Sequence, residues 1–215
     1  MSRLCVPDPD DRGDLGAFVG RVVRLDQTAV VRLLASASGR ITAWAATPFD
    51  VLATRSVPGR LEPGDVTTPA AALLSALSVD RADTVDPGTG GLWQGLLPPD
   101  EGWAVVDTVP AAELEALTDR GLALAREHAG PLGPPASLLD QTVLTVSGAG
   151  AGPPVRIPLR CLFALSGMGF VGAGEAGEPV RVSATSSWLR LDARYGAVVR
   201  RRITALPLLT SPTAG

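Results

Sequence analysis

The sequence predicts an α+β fold: an antiparallel sheet built from an N-terminal strand meander and a C-terminal hairpin, covered by several helices. Three observations predict it. Strand-like alternation is confined to the two ends of the chain. Helical periodicity dominates the middle. Strands and helices are therefore segregated, whereas a doubly wound α/β sheet needs them to alternate.

In chain order, Asp8 to Asp14 reads as an acidic lead-in, and Leu15, Phe18, Val19, Val22 and Val23 then recur at helical spacing with Asp14 as the expected N-cap. Residues 29–34 are rich in Val and Leu, 36–39 read as a turn, and Arg40–Thr47 and Phe49–Val57 are strand-like between Pro48 and Pro58. Residues 66–79 return to helix, with Pro69 in its first turn and Leu73, Leu74 and Leu77 as a stripe. Residues 83–91 read as loop. Trp93 and Trp103 then flank a Pro98-Pro99 turn. The clearest helix opens at Pro110 and stops at Gly130-Pro131, with Leu114, Leu117, Leu124 and His128 expected on one face. Residues 138–146 are ambiguous between helix and strand, 148–154 read as loop, and a helix starts at Pro158. Val180, Val182 and Ala184 alternate with polar residues, as do Leu189 and Leu191, and a turn at 192–196 leads into a last strand over 197–203. The expected organisation is a lead-in over 1–14, one domain over 15–205 and a flexible tail over 206–215. No internal sequence repeat is legible.

Hydrophobic residues make up 46% of the 215 residues and charged residues 19%, which is the composition of a chain with a sizeable core. All 19 basic residues are arginine, and lysine and asparagine are absent, a bias expected of a GC-rich genome. The net charge of −3 gives no global attraction to nucleic acid or to an anionic membrane. Two cysteines and one histidine are too few for a four-ligand structural zinc site. No apolar run reaches the length of a membrane span, and the N-terminus lacks a signal-peptide pattern, so a cytoplasmic location is expected.

The run from Gly91 to Trp103, the segment from Pro158 to Phe170 and the hairpin with Trp188-Leu189-Arg190-Leu191 and Tyr195 to Arg200 resemble a group of uncharacterised proteins of high-GC actinobacteria. The resemblance covers the C-terminal half and implies no activity, cofactor or site.

Motifs for chemistry fail on context. Gly167, Gly169 and Gly172 match the spacing of a dinucleotide fingerprint, but that motif needs a strand before the glycines and a helix after them. Here the reverse is expected, a helix ending in a glycine-rich loop. His128, the one histidine, falls in the last turn of a helix, where the dipole explains it without catalysis. Cys161 reads as a buried thiol, with thiolate stabilisation by Arg160 as the alternative. Asp8, Asp10, Asp11 and Asp14 lack the spacing of a calcium loop. No catalytic residue, metal or cofactor is assigned.

What remains is surface. Trp93 and Trp103 either line a groove or pin their own loop to the core. The C-terminal hairpin, residues 179–203, carries Arg181, Arg190, Arg194, Arg200, Arg201 and Arg202 against Asp192 alone, with Trp188 and Tyr195 for stacking. The residues assigned to binding are Trp93, Trp103, Trp188, Arg190, Tyr195, Arg200 and Arg202. Alternation places Arg200 and Arg202 on one face and Arg201 on the other, a poor phosphate clamp. The leading expectation is a non-enzymatic protein-interaction or adaptor domain, with another protein or a second copy as partner. The alternatives are a weak, salt-sensitive nucleic-acid binder working through the hairpin, and a ligand-binding protein or enzyme with a pocket near the tryptophan loop.

Overall fold

The structure is a computed structural model that describes residues 2–79, 83–128, 130, 134–148, 153–171 and 178–202. Its elements run β1 (Arg3–Cys5), α1 (Pro9–Leu25), β2 (Val30–Ala35), β3 (Arg40–Thr47), β4 (Val51–Pro58), β5 (Arg60–Glu62), β6 (Asp65–Pro69), α2 (Ala70–Val79), β7 (Thr84–Val85), β8 (Ala104–Pro110), α3 (Ala111–Glu127), α4 (Ala136–Leu139), β9 (Thr142–Val146), β10 (Val155–Pro158), α5 (Leu159–Gly167), β11 (Pro179–Ala184), β12 (Trp188–Ala193) and β13 (Gly196–Arg201).

The fold is α+β, and the two ends of the chain pair as expected. Strands β2, β3 and β4 and strands β11, β12 and β13 join through β4 and β13 into one eight-stranded sheet, in the order β6-β2-β3-β4-β13-β12-β11-β8. The junction is short, with Thr54 opposite Ala197, Ala53 opposite Val198 and Leu52 opposite Val199. Read outward from it, the sheet is two equivalent halves. In each, a helix (α1 or α5) leads into a three-strand meander, and an edge strand (β6 or β8) runs straight into a further helix (α2 or α3). This symmetry leaves no repeat in the sequence because the edge strand follows its meander in one half and precedes it in the other. Two small sheets, β5-β1-β7 and β10-β9, complete the fold.

Period-two alternation decides which face is covered. Ile41, Ala43 and Ala45 of β3, Val51, Ala53 and Val57 of β4, Leu189 and Leu191 of β12 and Val198 of β13 join Leu15, Phe18, Val22, Leu73, Leu114, Leu162 and Leu165 of the helices in one buried core. The opposite face carries Thr42, Trp44, Thr54, Ser56, Ser183, Arg190 and Asp192, and among the described residues no helix covers it. Because the core runs through both halves, calorimetry is expected to give a single unfolding transition. Two separable transitions, with one half melting independently, would contradict that.

Several elements depart from the sequence pattern. The first helix begins at Pro9, with Asp8 as N-cap accepting the Asp10 amide at 2.8 Å. A proline at the first helical position and acidic residues in the first turn are good helix starters, so the acidic lead-in is itself helical. Residues 65–69 form β6 rather than helix, because Val66, Thr67 and Thr68 are β-branched and pair with β2. The loop over 83–91 contains β7. Residues 104–109, unassigned in the sequence, form the edge strand β8 together with Pro110, which was expected to open the following helix. The ambiguous segment 138–146 divides into the end of α4 and β9. On α3 the buried positions are Leu114, Thr118, Gly121 and Ala125, while Leu124 is 43% exposed. Small residues hold that stripe because α5 lies close against it. The expected tail at 206–215 and the glycine-rich run at 172–177 lie outside the described residues.

Candidate functional site

The helix-free face is shaped by the segment that joins β7 to β8. It leaves the β6 edge, where the Thr68 hydroxyl donates to the Pro87 carbonyl at 2.7 Å. Gly91 then lies flat on Val30 and Thr67; a Cβ there would come within 2.7 Å of Val30 Cγ1. The segment crosses the sheet and reaches the opposite edge as β8. Trp93 Nε1 donates to the Gly95 carbonyl at 3.1 Å, and Trp103 Nε1 donates to the Pro99 carbonyl at 2.9 Å. Both indoles thus fix the turns of their own strap.

Two grooves flank the strap. The larger, of about 870 Å³, spans both halves, with Trp44, Thr54 and Ser56 from one side and Trp103, Arg190 and Asp192 from the other. Trp44 is 7% exposed although it faces away from the helical core. Arg190 lies 6.0 Å from the Trp103 ring and donates to Asp192 at 2.8 Å. The Thr54 hydroxyl is buried without a hydrogen-bond partner among the described residues. The second groove lies where β13 ends, between Gln94-Gly95-Leu96 of the strap and Leu52, Trp188, Val199 and Arg200 to Arg202.

The residues expected to bind are thus divided. Trp103 and Arg190 share the first groove. Trp188, Arg200 and Arg202 share the second. Trp93 lines neither, and Tyr195 is an exposed turn residue with the Arg194 guanidinium 5.5 Å from its ring. Trp44 and Thr54 were missed, although the alternation Ile41-in, Thr42-out, Ala43-in, Trp44-out was available to place Trp44 on this face.

The hairpin is far less basic in space than in sequence. Arg200, expected at a binding surface, points to the helix side and is paired with Asp140 at 3.0 Å and Asp50 at 3.6 Å. Arg160 joins the same cluster, donating to Asp140 at 2.9 Å and to the Phe49 carbonyl at 2.8 Å. Arg181 and Arg190 share Asp192, and Arg194 pairs with Glu178. Arg202 donates to the Thr185 carbonyl. The alternation of Arg200 and Arg201 across the strand is as expected.

The other residues weighed for chemistry are placed as follows. Helix α5 ends at Gly167 and precedes Gly169, which is the wrong order for a dinucleotide site. His128 caps α3 through its backbone amide and is exposed. His128→Ala is expected to change stability by no more than about 1 kcal/mol, the ceiling for a surface helix-dipole contact, as read by urea unfolding. Burial pushes the Cys161 thiol up to about 12, overriding the nearby guanidiniums of Arg200 and Arg160. Proximity to Arg160 therefore does not yield a thiolate at neutral pH. In a Cys5→Ser variant, which removes the half-buried second thiol, Ellman's reagent is expected to leave Cys161 untouched in the native protein and to react with it in denaturant; labelling of that variant at neutral pH without unfolding would show the site to be open. Among the described residues no group of three or more His, Cys, Asp or Glu gathers to hold a metal, and no helix is long and apolar enough to cross a membrane.

Comparison with solved structures shows the fold of the bacterial sliding clamp. The clamp of Bacillus subtilis superposes with a TM-score of 0.59 at 15% identity, covering 98% of this chain and 67% of that one. The DNA polymerase III subunit beta of Pseudomonas aeruginosa gives 0.58 at 12%, covering 96% and 66%. The clamp of Bartonella birtlesii, solved with griselimycin, gives 0.54 at 16%, covering 96% and 66%. The chain thus spans about two thirds of the length of these clamps. No curated protein matches it by sequence. Residues 1–94 match the family described as Domain of unknown function (DUF8010), so the boundary between the two matched segments falls within the strap. Over residues 98–205, half of its length, the chain belongs to the family described as Domain of unknown function (DUF8185).

Proposed function

We propose that the protein is a non-enzymatic protein-interaction module that uses the helix-free face of a clamp-like sheet. The observation that carries this reading is the strap-flanked groove at the junction of the two halves. It combines the buried Trp44 and the half-buried Trp103 with a polar rim and a hydroxyl that has no hydrogen-bond partner among the described residues, the composition of a recognition surface.

The solved clamps are DNA polymerase subunits, and that association raises a DNA-linked role for this chain too. Its charge distribution favours protein contact over direct DNA contact. On the helical side, α1 balances Asp10, Asp11 and Asp14 against Arg12, Arg21 and Arg24. Helix α2 is uncharged, and α3 carries four acidic residues against Arg120 and Arg126. Phosphate binding needs a basic surplus, and these three helices have none. Self-association fits the same reading, through the edge strand β8, where Val105 is 62% exposed.

Affinity capture with nuclease treatment tests the proposal. Wild type is expected to retain protein partners after nuclease, and an Ala37→Glu/Val105→Glu variant, altered at two exposed positions of the groove rim, is expected to lose them. Capture abolished by nuclease alone would replace this reading with a nucleic-acid one.

A further inference from the structure

We propose that the second groove, at the end of β13, docks an acidic peptide segment of a partner protein, with the partner's aliphatic side chains entering between arginines. The proposal rests on the protein-interaction reading and names a partner chemistry for it.

Most hairpin arginines are neutralised internally, but three cations near this groove have no carboxylate partner among the described residues. Arg201, on the outer face of β13, stands opposite Trp188 in the strand register. Arg156, on β10, lines the adjoining hollow together with Arg200, Arg201 and Arg202. Among the described residues, neither Arg156 nor Arg201 has a carboxylate partner, and both are exposed. Arg202 adds a third guanidinium that meets only a carbonyl. Three uncompensated positive charges gather here on a chain whose net charge is −3. Such a patch attracts an acidic partner and repels a basic one.

Between the cations the groove has an apolar floor, and the one carboxylate on its lining, Asp50, is held by Arg160 and Arg200. Leu52 and Val199 face each other across the β4–β13 junction, Trp188 is half-buried, and Leu96 stands 68% exposed on the strap. A peptide with alternating acidic and aliphatic residues satisfies both features, since every second side chain of an extended segment points the same way. A phosphodiester chain supplies the charge but no aliphatic group for the floor. The chain's own continuation from Arg202, residues 203–215, contains no Asp or Glu and lacks the required charge.

The test is fluorescence anisotropy with the full chain and a labelled octapeptide of alternating glutamate and isoleucine. Binding is expected, weakening as salt is raised. The double variant Arg156→Ser/Arg201→Ser is expected to weaken it about tenfold, and Leu96→Ser several-fold; all three positions are exposed, so circular dichroism and urea unfolding should match wild type. An alternating glutamate–serine peptide is expected to bind at least several-fold more weakly. Equal binding of the serine peptide, equal or tighter binding of an oligothymidylate, or indifference to the arginine substitutions overturns the proposal. A chain that retains groove-dependent partners in the capture experiment but ignores the glutamate–isoleucine peptide overturns this site alone and leaves the interaction reading intact.

Discussion

Gly196→Ala is expected to lower the free energy of unfolding by about 3–5 kcal/mol, through overpacking of about 1–3 kcal/mol together with backbone strain of about 1–3 kcal/mol. Gly196 opens β13 with φ +154. A methyl group there would sit 2.4 Å from Phe170 Cζ and 2.8 Å from the Thr54 carbonyl. Neither neighbour can yield. Phe170 is 3% exposed and stacks on Phe18 with ring centroids 6.4 Å apart, and Thr54 belongs to the β4–β13 junction. Gly13→Ala is the control. It lies within α1 with nothing inside 4 Å of its added Cβ, so the same chemical change should stabilise by about 0.5–1 kcal/mol. Urea unfolding of both variants checks the opposite signs. A Gly196→Ala protein as stable as wild type would show that the junction is not packed as described.

Arg160→Ala is expected to cost about 2–4 kcal/mol, and Arg160→Met distinctly less. The Arg160 side chain is 8% exposed and ties the β3–β4 turn, through the Phe49 carbonyl and Asp50, to Asp140 after α4. Truncation leaves the carbonyl without its donor and opens a cavity beside Cys161 and Phe163. Removing one member of a buried ion pair ordinarily costs about 3–5 kcal/mol. The lower figure applies because Asp140 and Asp50 are 44% and 82% exposed, so water and Arg200 can solvate them. Methionine restores most of the volume, which separates the packing contribution from the ionic one. Equal losses for alanine and methionine would show that charge dominates.

The sheet was legible because its strands alternate. Arg40–Thr47 is one strand in both sequence and structure, and the sides taken by Val180, Val182, Leu189 and Leu191 follow from period two. The pairing of the chain's two ends was legible from the segregation of strand-like segments. Two elements were not: β7 has only two residues, and β8, although it contains three valines, does not alternate with period two and is largely exposed. On α3 Leu114 and Leu117 pack on the core as expected, but Leu124 and His128 do not, since close approach of α5 to the later turns requires Gly121 and Ala125 rather than large side chains. A Cβ on Gly121 would lie 2.3 Å from Leu159 Cδ1. In the candidate site, single residues were recognisable and their company was not. A count of charges along residues 179–203 cannot show that Asp140, Asp50 and Glu178 neutralise its arginines from outside the hairpin, nor that Arg156 joins it from β10.

The strap has a consequence for how the two halves are held together. They meet edge to edge through three facing residue pairs and a shared core, while their covalent connection runs over the opposite face and is exposed at Leu92 and Leu96. A break between Gly95 and Leu97 would interrupt no strand and no helix. The polypeptide is in this sense a heterodimer made intramolecular. What the link contributes to the sheet is effective concentration, holding β4 within reach of β13 so that neither edge stays open long enough to recruit a foreign strand.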